Sequence, residues 1–474
     1  MRGLASTLIL VVVLAGLGGY IYFVDSKRPS DAPVAEGESP KEKVFKVETD
    51  KINEIRLTTK DESTLLRKDK DGWKLVEPVK VDADPPEAIG LATNITSFES
   101  VRLIDENATD LAQFGLDKPA VTVQFKGEGN IAGSFSLGNK NPTQSEMYAM
   151  KGGEKKVFLV SSFQESNFNR KSFDLREKKI LKFDREKADA LTLVKGSTTM
   201  ELARSGSEWK VTKPVPSRSD YSAIEGFLTR LSSANMSKLL EENPADLAKY
   251  GLDKPTMTVT IGAGSSKTVL EVGKTEGDQI YARDASRSMV FTLDSTLKDD
   301  LNKNFDDYRK KELFEFRPFY VAKLRAVIDA PSGPKTYEFE KVPAAKPSES
   351  ETWKVTRVGG ASFTADATAM EDLLGKLVGI RAESFVDPKT TKTNIDKPAL
   401  VISASFDEGK FERVRFGQVG EAASYGMRDG EVSVAKIDQA SMKNAMQALD
   451  FAVTPKPPAP AAGNATPPAT GAKP

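Results

Sequence analysis

The hydrophobic pattern of this chain falls into three kinds. Leu4 to Val24, LASTLILVVVLAGLGGYIYFV, is one apolar stretch without a charge. Its 21 residues would form a helix of roughly 31 Å at 1.5 Å per residue, about the thickness of a hydrocarbon core. Further on, apolar residues recur at i, i+3, i+4 and i+7, the spacing of one buried helix face. The sets are Ala88, Leu91, Ala92, Ile95; then Ile224, Phe227, Leu228, Leu231; then Met370, Leu373, Leu374, Leu377. Each follows an Asp suited to an N-cap: Asp84, Asp220 and Asp366. The third kind is short and extended: EIRLTT, STLLRKD, VTVQF and KVFLV around the first helix, ALTLVKG and TTMELAR ahead of the second.

These elements recur because the chain repeats itself. Residues 106–123, ENATDLAQFGLDKPAVTV, and 242–259, ENPADLAKYGLDKPTMTV, are identical at 12 of 18 positions, at an offset of 136. The same offset relates Trp73-Lys74-Leu75 and Pro78 to Trp209-Lys210-Val211 and Pro214. A divergent third copy holds Trp353-Lys354-Val355 and Asn394-Ile395-Asp396-Lys397-Pro398. The expected organisation is therefore a transmembrane anchor at 1–24, a flexible stalk at 25–43, repeat units at 44–181, 182–316 and 317–453, and a disordered Pro/Ala-rich tail at 454–474. The expected fold class is α+β: three tandem units of antiparallel strands and helices after one N-terminal transmembrane helix.

The repeated motifs read as scaffold. Gly115 and Gly251 suit left-handed helix ends, with Asn394 in the third copy. Pro119, Pro255 and Pro398 enforce extended backbone, and Asp117, Asp253 and Asp396 are placed to hold the turn by bonding local N–H groups. One Trp per unit (Trp73, Trp209, Trp353) reads as a core anchor, and an exposed sugar-stacking platform is the rival. Asp174-x-Arg176 recurs as Asp307-x-Arg309 at the unit junctions, where an arginine fork could brace one unit against the next.

Composition narrows the chemistry. The 474 residues contain no His and no Cys. That removes Ser-His-Asp and Cys-His nucleophiles, zinc-thiolate and iron–sulfur sites, and disulfides. Lys+Arg 68 balance Asp+Glu 68, so the basic excess of a nucleic-acid binder is missing. No Walker A, GxGxxG or EF-hand pattern occurs, and no cofactor or metal is expected. A carboxylate-dependent hydrolase stays open, because carboxylates abound. For the apolar N-terminus, a cleaved signal peptide is the rival; the run is long for a signal core and lacks an Ala-x-Ala site. Arg2 on one side and Lys27 and Arg28 on the other barely set orientation. A body on the extracytoplasmic side follows the ordinary signal-anchor plan.

The tandem Trp-Lys-(Leu/Val)…Pro strands, the Asp-capped helix, the (Phe/Tyr)-Gly-Leu-Asp-Lys-Pro turn and the Leu137-Gly138 and Val272-Gly273 strands, with Tyr148, Phe158, Tyr281 and Phe291, resemble the bacterial domain-of-unknown-function family 4340. Members are commonly encoded beside ABC transporters of the gliding-motility type. The resemblance implies a single-pass protein of the bacterial inner membrane with a periplasmic body, a non-enzymatic accessory with protein partners such as transporter subunits. It carries over no catalytic residue and leaves any small-molecule ligand unknown. A glycan- or peptidoglycan-binding module is the alternative.

Overall fold

The computed structural model describes residues 42–346, 348, 350–419 and 423–455. The anchor expected at 1–24, nearly all of the stalk and all but the first residues of the tail lie outside them. Among the described residues, no helix is long and apolar enough to cross a membrane. The chain divides into two compact units after Lys178.

The first unit is built on one nine-stranded antiparallel sheet. In spatial order its strands are Val81–Asp82, Gly72–Glu77, Ser63–Asp69, Ile52–Thr59, Val121–Gly127, Ala132–Lys140, Glu146–Lys151, Val157–Ser161 and Arg102–Asp105. The helix Pro85–Thr96 lies between the two edge strands in sequence, so it crosses one face of the sheet. Asp84 caps it by accepting from the Glu87 N–H at 3.2 Å, and prolines fill its first two positions, where a missing N–H costs nothing. Ala88, Leu91, Ala92 and Ile95 are its buried side chains, facing Ile55, Leu57, Val121 and Val123 from the central strands. Burying each of the larger apolar side chains contributes about 1.5–3 kcal/mol, which is what holds a 12-residue helix of modest propensity in place. Ahead of the sheet, Glu42–Lys43 pairs with Glu99–Ser100, and Phe45 sits edge-on against Phe125 at 5.0 Å.

The second unit contains the same arrangement twice. One sheet runs, in order, Ser217–Arg218, Glu208–Lys213, Thr198–Ser205, Ala190–Lys195, Met257–Ala263, Ser266–Glu276, Gln279–Asp284, Val290–Leu293 and Met236–Glu241. The other runs Ser362–Thr364, Thr352–Arg357, Lys335–Val342, Val321–Ile328, Leu400–Phe406, Lys410–Val419, Ala423–Arg428, Val434–Ile437 and Ala382–Val386. Their crossing helices are Tyr221–Ser233 and Ala367–Val378, capped by Asp220 and Asp366. The fold is thus mixed strand and helix, with three similar nine-stranded sheets.

The third repeat closes differently from the first two. Those end in short helical turns, Gln164–Phe168 with Ser172–Leu175 and Lys298–Asn302 with Phe305–Tyr308. The third ends in a 14-residue helix, Gln439–Ala452, capped by Asp438. Its Met442, Ala445, Ala448, Leu449 and Ala452 enter the core beside Ala367–Val378.

Candidate functional site

Each repeated motif can be placed. Trp73, Trp209 and Trp353 are 7 %, 3 % and 7 % exposed, on the core side of their strands. Trp209 also donates its indole N–H to Glu225 at 2.8 Å. None of the three indoles offers a face for stacking a sugar.

The Gly-Leu-Asp-Lys-Pro segment covers the opposite face of each sheet with a small second core. In the first repeat this is Phe114 and Leu116 with Ala108 and Val157; in the second, Tyr250 and Leu252 with Tyr281 and Val290; in the third, Ile395 with Tyr425 and Val434. Gly115, Gly251 and Asn394 take φ of 66°, 67° and 54°, the left-handed region. The turn then lies so close to the sheet that a neighbouring strand must carry glycine. A Cβ on Gly138 would stand 2.2 Å from the Phe114 carbonyl oxygen. On Gly273 it would be 2.1 Å from that of Tyr250, and on Gly417 2.0 Å from that of Thr393.

Asp117, Asp253 and Asp396 do not act as expected. Their side chains are exposed. An aspartate holding its own turn bonds the N–H two residues on, and here that residue is Pro119, Pro255 or Pro398, which has none. The turns are held instead from upstream: Asp110 accepts from the Ala112 N–H at 3.0 Å and Asp246 from the Ala248 N–H at 2.8 Å. The signal was present, since the Asp-Leu-Ala triplet is identical in both copies.

The Asp-x-Arg pairs also separate. Asp174 accepts from the Lys171 N–H at 2.9 Å, and Arg176 is buried, its backbone bridged to Ala83. Asp307 accepts from the Asn304 N–H at 3.1 Å and from Lys311 at 2.8 Å. Arg309 turns elsewhere: to Ser217 Oγ at 3.2 Å, to Asp306 at 3.3 Å, and onto the ring of Phe385 in the third repeat at 3.6 Å. Asp306, adjacent to the expected residue, accepts from the Phe385 N–H at 3.2 Å.

Around this contact runs a polar seam between the second and third repeats. Arg218 engages Glu431, donates to Glu315 at 2.8 Å and to the Glu312 carbonyl at 2.8 Å. Glu412, fully buried, accepts from the Glu315 N–H at 3.0 Å and from Arg428 at 3.2 Å. Burial alone would raise the Glu315 carboxyl, but hydrogen bonds from Lys310 and Arg218 outweigh it and hold it down to about 2. The seam orders two repeats.

The profile of a family described as a domain of unknown function (DUF4340) matches residues 73–220 and 209–398. The chain belongs to this family. The two matches begin at Trp73 and Trp209, so the family's unit starts on the Trp strand and runs into the next structural repeat. No curated protein matches. Among solved structures, the crystal structure of the DNA polymerase III subunit beta from Pseudomonas aeruginosa is similar at 10 % identity and a TM-score of 0.14, covering 81 % of this chain and 91 % of that one. A likeness at that level carries no argument.

Proposed function

We propose that this member of the family is a non-enzymatic, membrane-anchored accessory protein on the extracytoplasmic side, auxiliary to an ABC-type transporter or envelope system. The observation that carries the reading is how the repeated residues are used. Indoles, turn glycines, caps and the junction arginine are all engaged inside the scaffold, while the outward sheet faces differ from repeat to repeat. Equivalent central positions of those faces, paired across the same two strands, are Arg56 with Gln124, Thr192 with Thr260, and Arg325 with Ser403. A conserved frame with variable outer faces suits holding partners more than running one reaction. The uncharged stretch Leu4 to Val24 supports the anchor.

Two outward carboxylates, Glu338 and Glu340, share a cleft in the third repeat, the arrangement a two-carboxylate hydrolase would need. Lys323 holds Glu340 below the usual carboxylate range, which is the wrong direction for a general acid. The test is affinity capture of the full chain from detergent-solubilised membranes. Recovery of an ATPase or permease subunit is the expected result, and recovery of no membrane or envelope protein would overturn the reading.

A further inference from the structure

The outer face of the third sheet carries a cleft of about 480 Å³, within the ordinary range for a ligand site. Two rows of cross-strand neighbours form it. The first runs Lys354, Glu340, Lys323, Ser405, Phe411; the second runs Thr356, Glu338, Arg325, Ser403, Arg413. Beside the second row lie Val327 and Val401, which face each other across the same pair of strands. Adjacent members of a row stand about 5 Å apart. Arg325 and Arg413 therefore flank the Ser403 hydroxyl at a separation that suits a carboxylate held by two guanidinium groups. Phe411, at the end of the first row, is 62 % exposed. The cleft lining holds four cations and two carboxylates.

The first repeat shows what is unusual about this face. It has a cleft of about 460 Å³ around Arg56 and Gln124, the counterparts of Arg325 and Ser403. There Arg56 is clamped by Glu77 through two hydrogen bonds of 2.7 and 3.2 Å. Glu77 reaches the outer face because the pairing of Ser63–Asp69 with Gly72–Glu77 shifts register between Leu65 and Leu66, just before Pro78. The second repeat has the same shift, before Pro214, and it sets Lys213 on Glu201 at 2.9 Å. The third repeat has neither the proline nor the shift: Lys335–Val342 pairs with Thr352–Arg357 in unbroken register. Thr356 occupies the outer face where the clamp would stand. Arg325 is left with Glu338 at 3.8 Å and a side chain 58 % exposed, against 32 % for Arg56. Arg413 has Asp429 at 3.8 Å.

We propose that this cleft binds an extended acidic peptide segment of a partner protein. The occupant follows from charge and spacing. An excess of two cations with a paired guanidinium site selects a carboxylate. Lys323, Arg325 and Val327 alternate along one strand, so they recur every two residues, about 7 Å. Alternate side chains of an extended peptide have the same repeat. One acidic side chain then sits on Arg325 and Arg413 while the next on that side lies on Val327 and Val401. The proposal deepens the interaction reading and rests on it, and the test separates the two.

Anisotropy of a fluorescein-labelled peptide of Glu-Ser-Val-Ser repeats, which sets Glu and Val in turn along one side of an extended chain, is measured with the full chain in detergent at low salt. The expected result is saturable binding that weakens with salt and is lost when Gln replaces Glu in the peptide. Arg325→Glu and Arg413→Glu should each weaken it about tenfold or more, and Arg325→Gln somewhat less. Arg56→Gln, on the clamped counterpart, should change nothing. These side chains are exposed, and far-UV circular dichroism checks that each variant is folded. Equal binding of the Gln peptide, or indifference to Arg325→Glu and Arg325→Gln, would overturn the proposal. So would tighter binding of an oligogalacturonate through the same arginines, which would make the ligand an acidic glycan. If capture from membranes recovers the same partner with Arg325→Glu, the cleft is wrong and the interaction reading stands. If the peptide binds and capture recovers nothing, the cleft stands and the interaction reading falls.

Discussion

The close approach of each turn to its sheet makes a stability prediction with an internal control. Gly273 has no positive φ, so Gly273→Ala meets no left-handed backbone strain and should, on entropy alone, stabilise slightly. Against this, the new methyl would stand 2.1 Å from the Tyr250 carbonyl oxygen and 3.1 Å from Leu252 Cγ. The first is backbone and cannot rotate away. Relief requires lifting the turn by more than 1 Å, which opens the small core of Tyr250, Leu252, Tyr281 and Val290. Overpacking of this kind costs about 1–3 kcal/mol, and a backbone obstacle puts it at the upper end. For the unit Lys179–Pro474 that lowers the midpoint by about 3–5 °C. The control is Gly375→Ala in the same unit. That glycine is exposed inside the helix Ala367–Val378, with nothing within 4 Å of a Cβ, and the change should stabilise by about 0.5–1 kcal/mol. Thermal and urea unfolding followed by circular dichroism measure both. A Gly273→Ala chain within about 0.5 kcal/mol of the native one would refute the reasoning.

Three further expectations follow from burial and charge. Trp209→Ala should cost about 3–5 kcal/mol, because a nearly buried indole leaves a cavity and its hydrogen bond to Glu225 is lost, and urea midpoints would show it. Arg218→Ala should destabilise the second unit by about 2 kcal/mol and split its unfolding into two transitions, by leaving Glu431 and Glu315 without their shared partner; a single unshifted transition would count against the seam. Glu315 is depressed in the folded state, so its contribution is complete above the unfolded value near 4.5 and is lost as pH falls toward 2. After allowance for solvent screening it is on the order of 1–2 kcal/mol, and Glu315→Gln should flatten that part of the pH–stability curve.

Much of the frame could be read from the pattern of residues, because helix spacing and capping are local. The four apolar positions of Tyr221–Ser233 are its four buried ones, and the turn glycines take the left-handed conformation their position after a helical turn demands. What could not be read depends on contacts distant in sequence. That Gly138, Gly273 and Gly417 serve a turn some 22–24 residues upstream is visible only once strand and turn are packed together. The choice of Asp110 over Asp117 was legible in principle, since Pro119 has no N–H to offer. The closing helix was too: Met442, Ala445, Leu449 and Ala452 are spaced as a buried face. Arg309 points to Phe385 rather than Asp307 for a reason no spacing discloses, because the partner belongs to the following repeat.

The third repeat departs from the others at places that share a cause. Its core face is kept: Trp353, Asp366 and the helix positions all correspond. Its changes fall where the first two repeats must pass the chain onward or satisfy their own outer charges. A full helix replaces the short closing turns. The proline and register shift beside the Trp strand are gone, and with them the carboxylate that would clamp the central arginine. Here the central arginine has Glu338 at 3.8 Å in place of a two-pronged clamp, and a second arginine stands across one serine from it. Arginines whose internal carboxylates stand at 3.8 Å, outside a close two-pronged clamp, are placed to take a carboxylate supplied from outside.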